Sequence, residues 1–585
     1  MLDNEQIIEL EPTDVWNQYQ KCIDYMRTKG IFAGTEQNEN FFHGKQWENA
    51  KLGDMKPIVI NIIKPIVKYK IGVINARSYS VVFTPSYLQS GDEKLNKWCE
   101  LLSKHVDRIF EMQRLDRKNR IVVKDSCVNS EGIMYFYYDT TENEIVGEIV
   151  DKNNICYGNE ASSDIQSQPF IIIAFRRPVA DVKEEAEAQG MKKEELEKIV
   201  ADEEYREQAG FDGIEQETTP MCLVLLKLYK KENSKGVKTV HFKKSTMYAE
   251  VTKEIDTGLK LYPVEHFIWE DLKGSARGIG EVEANIPNQI EINKTEMRRA
   301  IAVKQSAYPK MAYNTQYIKN RDALHQTGAD IQVEGSGVDD VRKQVGYLNA
   351  TSMSADSKYL LDELINYTQN FAGAGDNASG NIDVTKTSAK AIIAVQEAQQ
   401  QPLNEQLYNY KDYLESVARI CLDMLQNYSV NGLVLADEKE QQVQDENGMI
   451  TSQTVPELYS LSYEDLNSIK ANVKIEITPK SAYDKMAVEQ SLDNLLANQL
   501  IEFEEYVNAL PYDSAMPKKK LEEIVKKRKQ TQQNIQAMQN VANEQMGRIS
   551  ALLGQQQQYE DMRNIANMKQ QGQAQIRQFQ NAIGG

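Results

Sequence analysis

Apolar positions along the chain change their spacing several times, and each change marks an element. Between Trp16 and Lys29 they recur at helical intervals, and the aromatic run Phe41-Phe42-His43-Gly44-Lys45-Gln46-Trp47 that follows is expected to turn at Gly44. Residues 58–67, bracketed by Pro57 and Pro65, are apolar enough to be buried. Leu95, Trp98, Leu102, Val106, Ile109 and Phe110 hold the 3.6-residue period and predict one amphipathic core helix over 91–128. From Ile133 the pattern turns β-rich, with strands expected over 133–138, 145–150, 170–175, 221–229 and 237–251 and a hairpin closed by Asn233-Ser234-Lys235-Gly236. Residues 182–208 interrupt these strands with Glu and Lys at i,i+3 and i,i+4, the pattern of a solvated, salt-bridged surface helix.

The second half reads as mostly helical. Residues 281–305 predict a helix with Pro287 near its first turns and Ile286, Ile290, Met297 and Ile301 along one face. About fifty residues follow, 306–353, with short strands expected at 310–313 and 330–333 and a turn at Gly335-Ser336-Gly337. A helix over 354–371 is signalled by Ser354 as N-cap and Asp356 in the first turn, with Leu360, Leu361, Leu364, Ile365 and Phe371 as its buried stripe. Three glycines in the eight residues 373–380 then predict a flexible loop. A long helical pattern over 387–428 is expected to kink at Pro402, where an amide hydrogen is missing, and to keep Leu403, Leu407, Tyr410, Leu414, Val417, Cys421 and Leu425 on one apolar face. Residues 430–480 return to short strands and an acidic, Gln-rich loop, and helices are expected over 483–510 and 518–582.

Length and charge narrow the classes. At 585 residues the chain exceeds one hydrophobic core. Its formal charge of −18 would repel a polyphosphate over most of the surface, so contact with nucleic acid has to be local. The charge is also segregated: between Ser514 and Gly585 eleven basic side chains face five acidic ones. The six cysteines lie far apart with no C-x-x-C pair and read as free thiols of a cytoplasmically assembled protein. The acidic N-terminus has no signal-sequence pattern, and no apolar stretch reaches the roughly 20 residues a bilayer needs. A soluble protein is the expectation.

Motifs for chemistry do not assemble. Gly44-Lys45 has Glu39 where a phosphate-binding loop needs its first glycine and Gln46 in place of the hydroxyl residue. The histidines never pair at i,i+4, and His266, although near Glu265, Glu270 and Asp271, lacks a second imidazole for a metal. Paired carboxylates such as Asp339-Asp340 and Glu504-Glu505 suit a solvated face better than a shared substrate. No catalytic residue, metal ligand or cofactor is expected, and the protein is read as no enzyme.

Three segments resemble the portal proteins of tailed double-stranded DNA phages. They are residues 40–47 followed by Asn61-Ile62-Ile63-Lys64-Pro65-Ile66-Val67 and Gly72, Gly278-Ile279-Gly280-Glu281 leading to Pro287-Asn288-Gln289 and Asn293-Lys294, and Thr387-Ser388-Ala389-Lys390-Ala391-Ile392. The order of elements is similar to theirs as well. The resemblance implies an α+β, mainly helical portal fold assembled as a ring, most often of twelve subunits, at one capsid vertex. Its regions would be a wing (1–280), first stem helix (281–305), clip (306–353), second stem helix (354–371), tunnel loop (372–386), kinked wing helix and wing strands (387–482), and crown with a Gln-rich tail (483–585). DNA would be packaged and ejected through the ring without sequence readout, in the virion, after assembly in the host cytoplasm. Implied partners are further copies of the chain, the terminase large subunit, head-completion or adaptor proteins, major capsid and scaffolding proteins, and double-stranded DNA, with no membrane. The alternative class is another virion structural protein such as a head-tail connector or minor head protein.

Candidate site residues follow from that likeness. Gly373, Gly375, Asn377, Ser379, Asn381 and Lys386 are expected to face the channel, where small polar side chains make exchangeable phosphate contacts without pinning the duplex. Gly335, Gly337, Asp339, Asp340 and Arg342 are expected in the clip that docks the motor. The basic crown residues Lys518, Lys519, Lys520, Lys526, Lys527, Arg528 and Lys529 are expected to lie toward packaged DNA.

Overall fold

A computed structural model describes residues 11–47, 56–86, 92–202, 219–232, 236–307, 310–326, 328–335, 340, 344–348, 356–374, 401–444, 450–469, 471–479, 491–510, 520–521, 523–528, isolated positions up to 545, and 561–583. The fold is mixed α+β and mainly helical. It divides into two compact units, one of residues 1–431 and 463–478, the other of 432–462 and 479–585.

Helix α1 (Asp14–Thr28) starts where the Thr13 hydroxyl accepts the Trp16 amide at 3.2 Å, and it buries Trp16, Tyr19, Ile23 and Met26. Helix α2 (Ile31–His43) ends at Gly44, whose φ of 88° makes the expected turn, although Phe41 and Phe42 lie inside the helix. Helix α3 (Ile63–Asn75) leads into strand β1 (Arg77–Pro85). The single helix expected over 91–128 is two, α4 (Glu93–Met112) and α5 (Leu115–Asn129), with Arg114 left-handed at φ 50° between them. Leu115 lies nine residues past Val106, the opposite face of a straight helix, so burying both requires the break.

Strands β2 (Glu131–Asp139), β3 (Glu144–Val150) and β9 (Val264–Ile268) form an antiparallel sheet in the order β3-β2-β9. Between them in sequence, β4 (Ile155–Tyr157), β5 (Phe170–Pro178), β6 (Met221–Glu232), β7 (Lys238–Ser245) and β8 (Thr252–Asp256) build a five-stranded antiparallel sheet in chain order. Of the strand expected over 237–251 only 238–245 is strand, β7; β8 begins just beyond it at Thr252, and β6 and β7 are antiparallel neighbours with Glu232 opposite Lys238. Alternation in this sheet gives it two apolar faces. Ile172, Ala174, Leu223 and Leu225 pack on α1, while Cys222 and Val224 pack on α6 (Val179–Ala188) and the segment after it through Val182, Ala186 and Ile199. Residues 182–202 are therefore not a wholly solvated element: Arg177 and Lys244 pair with Glu185 on the wet side, and the opposite stripe is core. A short helix, α7 (Lys193–Leu196), follows α6.

Helix α8 (Glu281–Ala307), strands β10 (Lys310–Tyr313) and β11 (Val345–Leu348), and helix α9 (Asp356–Phe371) come next. Pro402 sits in a 3-10 turn just ahead of α10 (Asn404–Tyr428), and the expected kink has its other limb, 387–400, outside the described residues. The apolar face of α10 holds as expected: Leu403, Leu407, Tyr410, Leu414, Val417, Cys421 and Leu425 are all buried, with Tyr413, Ile420 and Met424 besides. It packs on β9 and β2, and the Tyr410 and Phe267 rings meet edge to face at 5.3 Å. Strand Ala471–Pro479 pairs with β1.

In the second unit, β12 (Leu433–Gln444) and β13 (Ile450–Leu461) form a two-stranded antiparallel hairpin of twelve residues per strand, longer than the short strands expected there. The helix expected over 483–510 is interrupted: residues 491–497 are helical, and a new helix, Phe503–Ala509, begins at a capping box made by Glu502 and Glu505. Tyr506, Val507 and Leu510 pack with Leu492, Leu496, Leu521 and Val525 as that unit's core. Helix Asp561–Ile583 closes the described chain.

Candidate functional site: an anchored helix, a strand segment and a second helix

The chain approaches α8 through Arg277-Gly278-Ile279-Gly280, and its sequence there is dictated by crowding. A Cβ on Gly278 would overlap the Glu270 carbonyl oxygen and the Ile268 side chain, and one on Gly280 would stand 2.8 Å from the Val128 carbonyl oxygen. Only glycine lets the backbone pass.

Beside this passage the Arg277 guanidinium is buried with all five N–H donors used. Nη1 donates to Glu131 Oε1 at 2.7 Å and to the Lys152 carbonyl at 3.1 Å. Nη2 donates to the Ile155 carbonyl at 2.9 Å and to Glu160 Oε1 at 3.2 Å, and Nε to Glu160 Oε2 at 3.1 Å. Burial alone would lower the Arg277 pKa, yet Glu131 and Glu160 outweigh it and raise it further. Burial likewise works to raise Glu131, and Arg277, then His266 and Lys152, overcome it and hold this carboxyl at about 2. Both ring nitrogens of His266 face oxygen: Nε2 the Ser163 carbonyl at 2.9 Å, Nδ1 the Tyr157 hydroxyl at 3.3 Å, which itself donates to Glu131 at 3.1 Å. That arrangement suits an imidazolium, and the His266 pKa is raised by Glu131 and Glu265 against its burial. His266 is thus a packed, satisfied histidine.

The first half of α8 is held by amides. Lys70 of α3 pairs with Glu281 in its first turn at 2.6 Å. Gln289, fully buried, accepts the Ile62 amide at 2.9 Å through Oε1 and donates through Nε2 to the Ile60 carbonyl at 2.7 Å. One turn on, Asn293 accepts the Ile60 amide at 3.1 Å and donates to Gln46 Oε1 at 2.6 Å. Two side chains at i,i+4 thereby satisfy an extended backbone segment that has no strand partner among the described residues. The expected apolar face of α8 is right for Ile286 and Met297, while Ile290 and Ile301 are only half-buried, because Gln289, Ile292 and Asn293 occupy the centre of the contact.

Past Met297 the helix leaves this support, and Val303 is 68% exposed. Helix α9 returns along it: Leu361, with Leu364 and Ile365 beside it, packs on Ile292 and Ile62. The stripe expected on α9 is only half right, since Leu360 is 49% and Phe371 86% exposed, alongside exposed Tyr359 and Tyr367. A stripe of Leu360, Leu361, Leu364, Ile365 and Phe371 is wider than one neighbouring helix covers, and Leu361 takes the inner position. The two tyrosine hydroxyls both donate to Glu363 Oε1, at 3.3 Å from Tyr359 and 2.8 Å from Tyr367.

Between the helices β10 and β11 pair antiparallel, Lys310 opposite Leu348. Residues 330–333 form no strand and make one bridge, Val333 with Ile318. Of the expected clip residues, Gly335 lies against the Tyr317 ring and Asp340 is half-buried, while Gly337, Asp339 and Arg342 fall outside the described residues. Gly373 is left-handed at φ 69° and ends α9, with Ala372 and Ala374 packed on Ile66; Gly375, Asn377, Ser379, Asn381 and Lys386 fall outside the described residues. In the basic stretch Lys520, Lys526, Lys527 and Arg528 are described and exposed, with Arg528 5.6 Å from the Phe503 ring centre; Lys518, Lys519 and Lys529 are not described. No group of three metal-ligating side chains occurs, and no helix is long and apolar enough to cross a membrane, among the described residues.

The site is thus a helix anchored by buried polar contacts at one end and less covered at the other, joined through strands to a second helix whose outer face leaves Tyr359, Leu360, Tyr367 and Phe371 exposed. The family comparison gives the kind of protein. The model described as phage P22-like portal protein matches residues 175–584, well over half of the chain and all of α8 to α10, and the chain belongs to that family. The matched span begins after the 40–72 segment. No curated protein matches the sequence.

Proposed function

We propose that this chain is the ring-forming subunit of the portal vertex, a structural protein and not a catalyst, through which phage DNA enters and leaves the capsid. The single observation that carries the ring is the outward face of α9, where Tyr359, Leu360, Tyr367 and Phe371 stand in solvent on the chain taken alone. Apolar side chains contribute about 1.5–3 kcal/mol each when fully buried, and copies of the chain arranged about an axis would cover this face repeatedly.

In this reading α8 and α9 are the stem and residues 306–353 the clip, which docks the terminase large subunit and later head-completion proteins. Residues 372–386 face the channel as its tunnel loop, and the basic stretch 518–529 in the crown lies toward packaged DNA. Major capsid and scaffolding proteins would meet the ring's outside. Support for the clip is the β10–β11 pair, whose outer edges have no strand neighbour among the described residues.

Class averages of the purified protein by electron microscopy test the reading. Rings with an axial hole wide enough for a duplex are expected, and a chain that stays dispersed at every concentration rejects the ring.

A further inference from the structure

A second surface lies outside the elements used so far. Helices α3 and α5 pack together, and each sends a lysine toward the same buried ring. Lys64 Nζ lies 5.8 Å and Lys124 Nζ 5.7 Å from the centre of Phe42. Lys68 follows Lys64 by one turn of α3, and Arg117 precedes Lys124 by two turns of α5; both are exposed.

None of these four cations has a carboxylate within ion-pair distance among the described residues. The acidic groups nearby are otherwise engaged. Asp116 is 3.9 Å from Arg120, and Glu39 accepts from Asn129 at 2.9 Å and faces His43 at 3.3 Å. Asp125 is the exception: pushed up to about 6 by burial, with Lys124 opposing and Glu39 and Asp151 adding to the rise, it is still mostly ionised at neutral pH, but among the described residues it makes no ion pair with Lys124. On a chain of net charge −18, two lysines that meet at one ring, with Lys68 one turn and Arg117 two turns further along the same helices and no ion pair at any of the four among the described residues, are the reverse of what composition alone would place there.

We propose that this α3–α5 face binds the phosphate backbone of double-stranded DNA, apart from the basic stretch at the chain's C-terminal end. A duplex carries one charge per ~1.7 Å of axis, so a patch about 10 Å long, two turns of α5, faces several phosphates at once. An acidic protein is the poorer fit, because protein interfaces draw most of their energy from apolar or aromatic anchors. The aromatic ring here, Phe42, is only 6% exposed and unable to serve as one. Lysine and arginine without an anchor match a partner whose recognition is electrostatic and blind to sequence. The proposal takes from the portal reading only the source of the polyanion, since phosphate binding by this face does not require a ring.

The test uses the full-length protein and a short fluorescent duplex of arbitrary sequence, with affinity measured across a KCl series and ring formation followed separately by sedimentation. Replacing Lys64, Lys68, Arg117 and Lys124 with Gln together should flatten the log affinity against log salt slope by about 3–4 and weaken binding on the order of a hundredfold at low salt. The Lys68→Gln variant alone, at an exposed position, should flatten it by about 1 and keeps the test valid if the fourfold variant folds poorly. A parent chain without measurable duplex affinity, or variants whose affinity and slope equal the parent's, overturns the proposal. So does a fourfold variant that keeps DNA binding and instead loses binding to isolated capsid protein. A parent that binds duplex but forms no ring would sink the portal assembly and leave this surface standing.

Discussion

The two halves of α8 are built on opposite principles. Up to Met297 the helix is fixed by contacts the chain makes with itself: the Arg277 network just ahead of it, Lys70 on Glu281, and the Gln289 and Asn293 amides on the backbone of residues 60–62. Beyond Met297, and on the outer face of α9, apolar side chains stand uncovered. The first region is satisfied within one chain, and the second leaves apolar surface that the proposed ring would cover. In the proposed ring this difference marks where folding ends and assembly begins, and it gives substitutions in the two regions different signatures.

The largest effect on stability is expected at Arg277. Arg277→Met leaves Glu131 and Glu160 as buried carboxylates without their cation, a loss of about 3–5 kcal/mol, read as a lower urea midpoint of the purified protein. A variant as stable as the parent would show that the network does not anchor α8.

Gln289→Leu comes next. It strips the partners from the Ile62 amide and the Ile60 carbonyl and should cost about 1–3 kcal/mol, with faster amide exchange at Ile62 as the local sign. Equal exchange in both proteins would deny the amide clamp.

A smaller effect, dependent on pH, is expected at Glu265, whose carboxyl burial pushes up to about 7. Its folded pKa lies above the unfolded one, so its stabilising contribution is whole below the unfolded range and is lost as the pH rises through about 7. Glu265→Gln should therefore gain on the order of 2 kcal/mol at mildly alkaline pH and little in acid. Glu131 has the opposite window, its contribution present above the ordinary carboxylate range and lost as the pH falls toward about 2. A melting-temperature series across pH separates the two groups.

Smallest is the change in the stability of the single chain from Phe371→Ser, within about 0.5 kcal/mol because the ring is already in solvent. Its consequence belongs to assembly, where the same substitution should raise the concentration needed for ring formation several-fold.

How far the sequence revealed this depends on the kind of contact. The apolar face of α10 was legible because Leu403 through Leu425 repeat at helical spacing and meet one surface, the sheet of β2 and β9. The break at Arg114 was hidden because both flanking segments have the helical period, and only the phase between Val106 and Leu115 records it. Gln289 and Asn293 escaped because polar residues on an otherwise apolar helix read as its wet side. Their i,i+4 spacing on the face shared with Ile286 and Ile292 was the available signal. Arg277, Glu131, Glu160 and His266 lie up to 146 residues apart, and a charge network closed by tertiary contact has no local pattern to read. The Leu360 and Phe371 expectation failed for a related reason: an apolar stripe announces burial but not whether the covering surface comes from the same chain.

The most direct test of that distinction is sedimentation velocity, with microscopy of the same samples, on the parent and on the Leu360→Asp/Phe371→Asp double variant. The account predicts rings from the parent and, from the variant, folded single chains with an unchanged melting temperature. Rings of the same size and abundance from both would contradict it.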